Sequence, residues 1–445
     1  MSDLVIRNCR VLDVPEVGEC RVLAAMDVHV DDATISAVVP TASVSIRDAE
    51  VVDGTGLLAT PGLTNSHTHS PMVMMRGSAE DVSVDDWFNK RVWPMEVNLT
   101  PERVRLGARL ACAEMLLAGV TTFVDHYFHA DQIAYAAIET GIRADLAPTF
   151  FSSEGDGGRE QAFDLAREIA GLGSSRVRAS LGPHSSYTVS EADLRLTAEI
   201  ARSEGFRIHL HASENIDQTM SSLSRLGVTP IRVLERTGVL DAGALIAHGC
   251  GIIESDLPLL AAHGARTAVA CCPKVYLKHA LAPITPVRAL LDAGVAVGAG
   301  TDGAAGHNTL DVWEAMRLVA LVQKYQERDA LWMTVSETLR LAMRGGAQAA
   351  GLGGVAGAIN VGMRADLVLV DQRGAHCQPL HDPRAALVYS NRASDVDTVI
   401  VDGAVVVRGG VLQTLDVNEL LAEVREVAPL LLDTRSGRAV QHYAP

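Results

Sequence analysis

Pro61-Gly62-Leu63-Thr64-Asn65-Ser66-His67-Thr68-His69 is the stretch on which the reading turns, because a short apolar run there ends in two imidazoles two residues apart. Side chains alternate faces along a strand, so both rings point the same way and can reach one ion at about 2.0–2.1 Å. Paired histidines also occur in ordinary surface turns, so the weight falls on what accompanies the pair.

Working outward, this stretch opens a series of eight apolar runs: Gly62 to Ser66, Val120 to Val124, Ile142 to Pro148, Val177 to Leu181, Phe206 to Leu210, Ala244 to Ala247, Thr267 to Cys271 and Val295 to Ala299. Amphipathic segments such as Pro101–Ala118 and Glu191–Glu204 separate them, and helices Val312–Gln323 and Val335–Ala350 follow the last. Near-continuously apolar strands alternating with helices predict an α/β chain with a parallel sheet closed into a barrel. An open doubly wound sheet gives a similar string, but no G-x-G-x-x-G turn follows the first run.

Outside the barrel the texture changes. Residues 1–60 alternate apolar and polar (Leu4-Val5-Ile6, Val28-His29-Val30), and so do Ala365-Asp366-Leu367-Val368-Leu369-Val370 and Val396-Asp397-Thr398-Val399-Ile400-Val401. Each end has too few strands to bury a face alone, so the two are expected to pair into one domain. The division is 61–359 for the barrel and 1–60 plus 360–445 for a small composite β domain.

Ionisable residues collect at the C-terminal ends of the runs. His67 and His69 close the first, His211 and Glu214 follow the fifth, His248 the sixth and Asp302 the eighth. Each has a bland account as a loop or turn residue, but barrel enzymes build their sites on that face, and scattered residues have no reason to gather there.

Composition bounds the partners. A formal charge of −16 with no Lys/Arg run argues against nucleic acid and acidic membranes, and no apolar stretch is long enough to cross a bilayer. Met1-Ser2-Asp3-Leu4-Val5-Ile6 enters a strand pattern with no export signal, so the cytoplasm is expected. Seven cysteines, at 9, 20, 112, 250, 271, 272 and 377, include no C-x-x-C pair and are read as reduced, mostly buried thiols.

Pro61-Gly62 with His67-Thr68-His69, then His211-Ala212-Ser213-Glu214, Ala247-His248-Gly249 and Gly300-Thr301-Asp302-Gly303, resemble in that order the amidohydrolase superfamily, in its cytosine deaminase-like and chlorohydrolase-like branch. The resemblance spans nearly the whole chain. It implies a distorted (β/α)8 TIM barrel with a small β-sandwich domain built from both termini, one divalent metal ion (Zn²⁺, with Fe²⁺ as the alternative) and a homo-oligomer of two or more copies. Members with two metals bridge them by a modified lysine after the fourth strand. Here Gly182-Pro183-His184-Ser185-Ser186-Tyr187 has none, so one ion is expected.

His67, His69, His211 and Asp302 supply three nitrogens and a carboxylate, suited to such a cation, which lowers the pKa of bound water from 15.7 to about 7. Glu214 is assigned proton transfer to a substrate ring nitrogen. Asp302 is assigned the water's proton, and His248 the orientation of the attacking oxygen. The zinc deaminase fold built on H-x-E and P-C-x-x-C is excluded, since neither element is present in usable form. The expected activity is hydrolytic deamination of an amino-substituted N-heterocycle, a small molecule of purine, nucleoside, pterin or triazine type.

For substrate contacts, His184 and Tyr187 resemble the P-H-[SA]-x-Y-[ST] segment of methylthioadenosine/S-adenosylhomocysteine deaminases, and Trp87 in Asp85-Asp86-Trp87-Phe88 resembles the loop covering the base there. The chain departs from them at Cys272-Pro273-Lys274-Val275-Tyr276-Leu277-Lys278, in place of N-P-x-S-N-x-K, and at Gly306-His307-Asn308, in place of S-N-N. Lys274, Lys278 and His307 are therefore candidates to select a different ring. Two competing readings remain: hydrolytic loss of chloride or an alkylamine from a triazine, and a metal-free structural paralogue.

Overall fold

The computed structural model describes residues 3–43 and 49–443. Eight parallel strands alternate with helices: Leu63–Thr68, Val120–Tyr127, Arg143–Phe150, Val177–Ala179, Ile208–Ala212, Ala244–His248, Ala268–Cys271 and Ala296–Ala299. They form two arcs of four, with Gly182–Pro183 extending the first arc beside the third strand. Backbone bonds cross both seams. Between the fourth and fifth strands, Leu181 N donates to Arg207 O (2.8 Å), and His209 N to Leu181 O (2.9 Å). Between the eighth and first, Thr301 N and Asp302 N donate to His67 O (3.2 and 2.9 Å). Asn65 locks this second seam, its Nδ2 donating to Thr301 Oγ1 at 2.8 Å and its Oδ1 accepting from Thr301 N at 2.9 Å. The ring is thus a barrel distorted at two joints.

The first, third and fifth strands begin one or two residues later and end two later than their apolar runs, whereas the fourth, Val177–Ala179, ends two residues earlier. His67 lies inside the first strand and His211 inside the fifth, where it pairs with Ala247. A polar residue ends an apolar count, yet its backbone continues the strand ladder, and the ring is held through Nδ1, by His209 Nε2 for His67 and by the His184 carbonyl for His211. Helix Pro101–Leu117 starts at a Thr100 cap with proline in its first turn, and Glu191–Glu204 ends on left-handed Gly205. The stretch expected as one helix over Val335–Ala350 is instead Val335–Arg340, a π-turn at Leu341–Gly345 and Gly346–Ala349. Close approach explains the break: a Cβ on Gly345 would lie 2.3 Å from Val297 O, so the helix adjusts its winding to press on the barrel.

Strands from both ends of the chain share one nine-stranded sheet, joined where Leu57–Pro61 runs antiparallel to Leu367–Asp371. Alternation gives the sheet two buried faces. Leu4, Ile6, Val28, Val30, Leu367 and Leu369 enclose a core of their own, whereas Leu12, Leu58, Val368 and Val370 pack with Leu106 and Met115 of the helix Pro101–Leu117. The chain passes from sheet to barrel through Gly62, where a Cβ would sit 2.1 Å from Thr121 Oγ1. The Pro-Gly pair is therefore a packing requirement of that crossing. The seven cysteines are free and buried. Among the described residues no helix is long and apolar enough to cross a membrane.

Arg143, at the start of the third barrel strand, ties the two parts together. Its Nε and Nη2 donate to Asp366 (2.9 and 3.1 Å) and Nη2 also reaches Asp402 (2.9 Å), with all three side chains at most 7% exposed. Arg143→Ala would leave the buried Asp366 carboxylate without its cation, at a cost of about 3–5 kcal/mol, although Asp402 keeps Arg364 at 3.2 Å. The variant is expected to unfold at markedly lower urea concentration. An unchanged midpoint would show that the bridge contributes nothing.

Candidate active site

The C-terminal strand ends carry the functional groups to one point. Two of the residues adopt left-handed backbone to do so, His248 (φ 75°) and Asp302 (φ 69°), a conformation uncommon for non-glycine residues. Gly303 follows Asp302 because a Cβ there would lie 2.3 Å from Met72 Sδ.

At that point Asp302 Oδ1 is 3.3 Å from His69 Nε2 and 3.6 Å from His67 Nε2, and His69 Nε2 is 3.3 Å from His211 Nε2. Donor atoms of His67, His69 and His211 lie within 4.8 Å of one another, as do those of His67, His248 and Asp302, and those of His211, Glu214 and His248. Each ring is held from behind. His69 Nδ1 is 2.5 Å from His126 O, His211 Nδ1 is 2.8 Å from His184 O, and His67 Nδ1 is 2.8 Å from His209 Nε2.

Carbonyls only accept, so His69 and His211 carry their protons on Nδ1 and turn bare Nε2 lone pairs toward each other. His67 Nε2 is buried with no hydrogen-bond partner. Ligands at 2.0–2.1 Å in tetrahedral geometry are themselves about 3.3 Å apart. Converging lone pairs at that spacing, with a carboxylate beside them, fit a divalent cation. Burial alone would raise the Asp302 carboxyl, but the His67 ring 3.6 Å away and the neighbouring His248 and His69 imidazoles hold it well below the usual carboxylate range.

Glu214, three residues beyond His211, is buried, and burial pushes its carboxyl up to about 8 although Gln218 Nε2 donates to it at 2.6 Å. At neutral pH it therefore holds a proton. Burial pushes His184 and His248 down to about 3, so both rings are neutral.

A cavity opens beside these groups, lined by His69, His184, His211, Glu214, His248 and Asp302 and by an apolar wall of Trp87, Phe88, Trp93, Phe151, Val275 and Leu281. Trp87 stands on that wall with Nε1 3.4 Å from Ala305 O. His184 stands there too, its Nδ1 2.9 Å from Thr188 Oγ1. Tyr187 and His307 do not line it: Tyr187 packs behind His184 at 6.0 Å between ring centres, and His307 Nδ1 accepts from Thr309 N at 3.4 Å. Lys274 and Lys278 are held in ion pairs with Glu314 (2.6 Å) and Glu80 (2.5 Å), away from the cavity wall. A sequence motif locates a loop, whereas packing decides which way each side chain turns.

Three residues of the site were not read from the sequence. His126 is the penultimate residue of the second strand and lines the cavity, and His209 backs His67. Both carried a usable signal, His126 by its strand-end position and His209 by repeating the two-residue spacing with His211. Glu96 carried none, since it lies in a short helix, Trp93–Glu96, between the first strand and helix Pro101–Leu117. It lines the cavity, accepts from Tyr127 Oη at 2.7 Å and is pushed by burial up to about 8.

Glu96 links stability to pH. With a folded pKa above the unfolded value, the folded state holds the extra proton, so this contribution is complete below about pH 4.5 and is lost as pH rises through about 8. Glu96→Gln keeps an acceptor for Tyr127 but does not titrate. The Tm of the variant minus that of the parent is expected to become more positive by a few degrees between about pH 5 and about pH 8.5. A flat difference would contradict the raised carboxyl.

Comparison with known proteins follows the same lines. The model of the amidohydrolase family matches residues 58–406. The chain is 38% identical over 438 residues to a 5-methylthioadenosine/S-adenosylhomocysteine deaminase of Pelotomaculum thermopropionicum, covering 97% of this chain and 100% of that one. Among solved structures, an adenosine deaminase from Xanthomonas campestris with bound zinc superposes with a TM-score of 0.92 at 32% identity, covering 97% of this chain and 98% of that one. A zinc-complexed atrazine chlorohydrolase from Arthrobacter aurescens gives 0.85 at 26% identity, covering 96% of this chain and 100% of that one.

Proposed function

The chain belongs to the amidohydrolase family, and on that premise we propose that it removes the ring amino group of an adenine nucleoside with an apolar or thioether 5′ substituent. It is a metal-dependent hydrolase acting on C–N bonds of an amino-substituted heterocycle. The observation that carries the proposal is the placement of Glu214, a buried carboxyl whose oxygen lies within 4.8 Å of ring nitrogens of His211 and His248.

His67, His69, His211 and Asp302 would hold the divalent cation, zinc before iron. When bound, such an ion supplies a water whose pKa is brought near 7. Glu214 gives its proton to the ring nitrogen next to the amino-bearing carbon, which makes that carbon electrophilic. Asp302 takes the proton of the attacking water, and the neutral His248 ring orients the attacking oxygen. A C–O bond forms, the C–N bond breaks as the proton carried by Asp302 leaves with the amine as ammonia, and the proton of the new hydroxyl returns to the Glu214 carboxylate as the ring carbonyl forms.

The remaining cavity favours a nucleoside over a bare ring. Trp87 and Phe88 offer stacking area, Val275 and Leu281 an apolar recess, and Glu96, Thr149 and Asn215 polar groups suited to sugar hydroxyls. A cytoplasmic homo-oligomer of two or more copies belongs to the same proposal, supported by the family and by unpaired, buried cysteines.

Ammonia and chloride release across adenine, adenosine, 5′-thioether adenosines, a pterin and a chlorotriazine tests it. The expected result is ammonia from the nucleosides, with kcat/KM about a hundredfold above that for adenine. Chloride from the triazine with no ammonia from any nucleoside would establish the chlorohydrolase reading instead.

A further inference from the structure

Residues 438–443 run across the loops that follow the first, third and fifth barrel strands. Val440 N donates to Trp93 O (3.2 Å), and Gln441 Nε2 donates to Ser153 Oγ (2.8 Å). Tyr443 exchanges two bonds with Asn89: its N donates to Asn89 Oδ1 at 2.8 Å, and Asn89 Nδ2 donates to its O at 3.2 Å. The Tyr443 ring, 6% exposed, stacks on Phe88 with centroids 4.6 Å apart and planes 10° apart. Its hydroxyl accepts from Asn215 Nδ2 at 3.4 Å. Phe88 and Asn215 both line the substrate cavity. Asn215 also caps the helix Ile216–Leu226, accepting from Gln218 N at 2.9 Å, and Gln218 is the residue that donates to Glu214.

We infer that Tyr443 is a positioning residue that completes the substrate cavity from outside, pressing Phe88 into the aromatic wall and bracing Asn215 beside Glu214. Tail packing alone would need only an apolar side chain. Here the backbone is clamped on either side of a ring that touches two separate walls. The stacked ring is the stronger of its two contacts, because a hydrogen bond of 3.4 Å is weak. Tyr443 touches no reacting atom, so its loss acts on substrate binding and leaves bond breaking nearly intact.

The inference rests on the proposed deaminase reading, and the test separates the two. In the metal-loaded full chain, Tyr443→Ala is expected to raise KM for the best nucleoside about tenfold with kcat within about threefold, and Tyr443→Phe to keep KM within about twofold. Asn89→Ala, which cuts the clamp and leaves the ring, is expected to fall between them. Amide hydrogen exchange without substrate is the second arm: residues 84–97 should exchange faster in Tyr443→Ala than in Tyr443→Phe, with the barrel strands unchanged. An unchanged KM, or unchanged protection of 84–97, would overturn the inference. Faster exchange in a protein whose parent deaminates no nucleoside would uphold the positioning role and reject the substrate reading.

Discussion

Glu214→Gln is expected to lower kcat by about a thousandfold or more while the metal content stays at one ion per chain. Glutamine has nearly the shape of glutamic acid and keeps an oxygen for Gln218 Nε2, now 2.6 Å from Glu214 Oε2, so the helix that begins beyond Asn215 need not shift. What it lacks is the transferable proton, which burial keeps on the carboxyl up to about pH 8. General acids contribute about 10²–10⁴ in rate, and here the same proton also activates the ring carbon. Because the three imidazoles and Asp302 are untouched, elemental analysis separates loss of chemistry from loss of the ion. Turnover near the parent rate would remove Glu214 from the mechanism.

Stripping the metal is expected to have the other large effect. A chelator should reduce activity below about one per cent and lower Tm, and stoichiometric zinc should restore both. The physical reason is the arrangement of His69, His211 and His67. Two bare Nε2 atoms face each other at 3.3 Å, and a third is buried with no partner. Without a cation these lone pairs repel and stay unsatisfied, so folded protein is stabilised by whatever fills the gap. Elemental analysis should give one ion per chain, since the fourth strand leads to His184 rather than to a lysine able to bridge two. Full activity after exhaustive chelation, or two ions per chain, would contradict this account of the centre.

The sequence was informative where one periodicity or spacing rule applied. Eight apolar runs and the strand-end histidines rest on backbone alternation, which is local, so both the barrel and the convergence of His67, His69, His211 and Asp302 were legible. Boundaries were not, because His67 and His211 sit inside strands on the strength of bonds to distant residues, His209 and the His184 carbonyl. Side-chain direction was equally hidden. Tyr187 and His307 share loops with true wall residues but do not line the cavity, and Lys274 and Lys278 are neutralised by Glu314 and Glu80, which are distant in sequence. Glu96 and Tyr443 have no motif at all; only the folded chain brings an acid from a helical insertion to the cavity and sets Tyr443 against Phe88 and Asn215 of its wall.

The two seams of the barrel bear on how this centre can fail. His67 and His69 belong to one arc, and His211, His248 and Asp302 to the other, so every donor set that joins them spans the division between half-barrels. A cation gripped there would act as a rivet through two plates. Any slippage along either joint would pull donors apart before it disturbed a single strand, and damage at a distance, at Asn65 for instance, should register first as a leaking ion and only later as an unfolding protein.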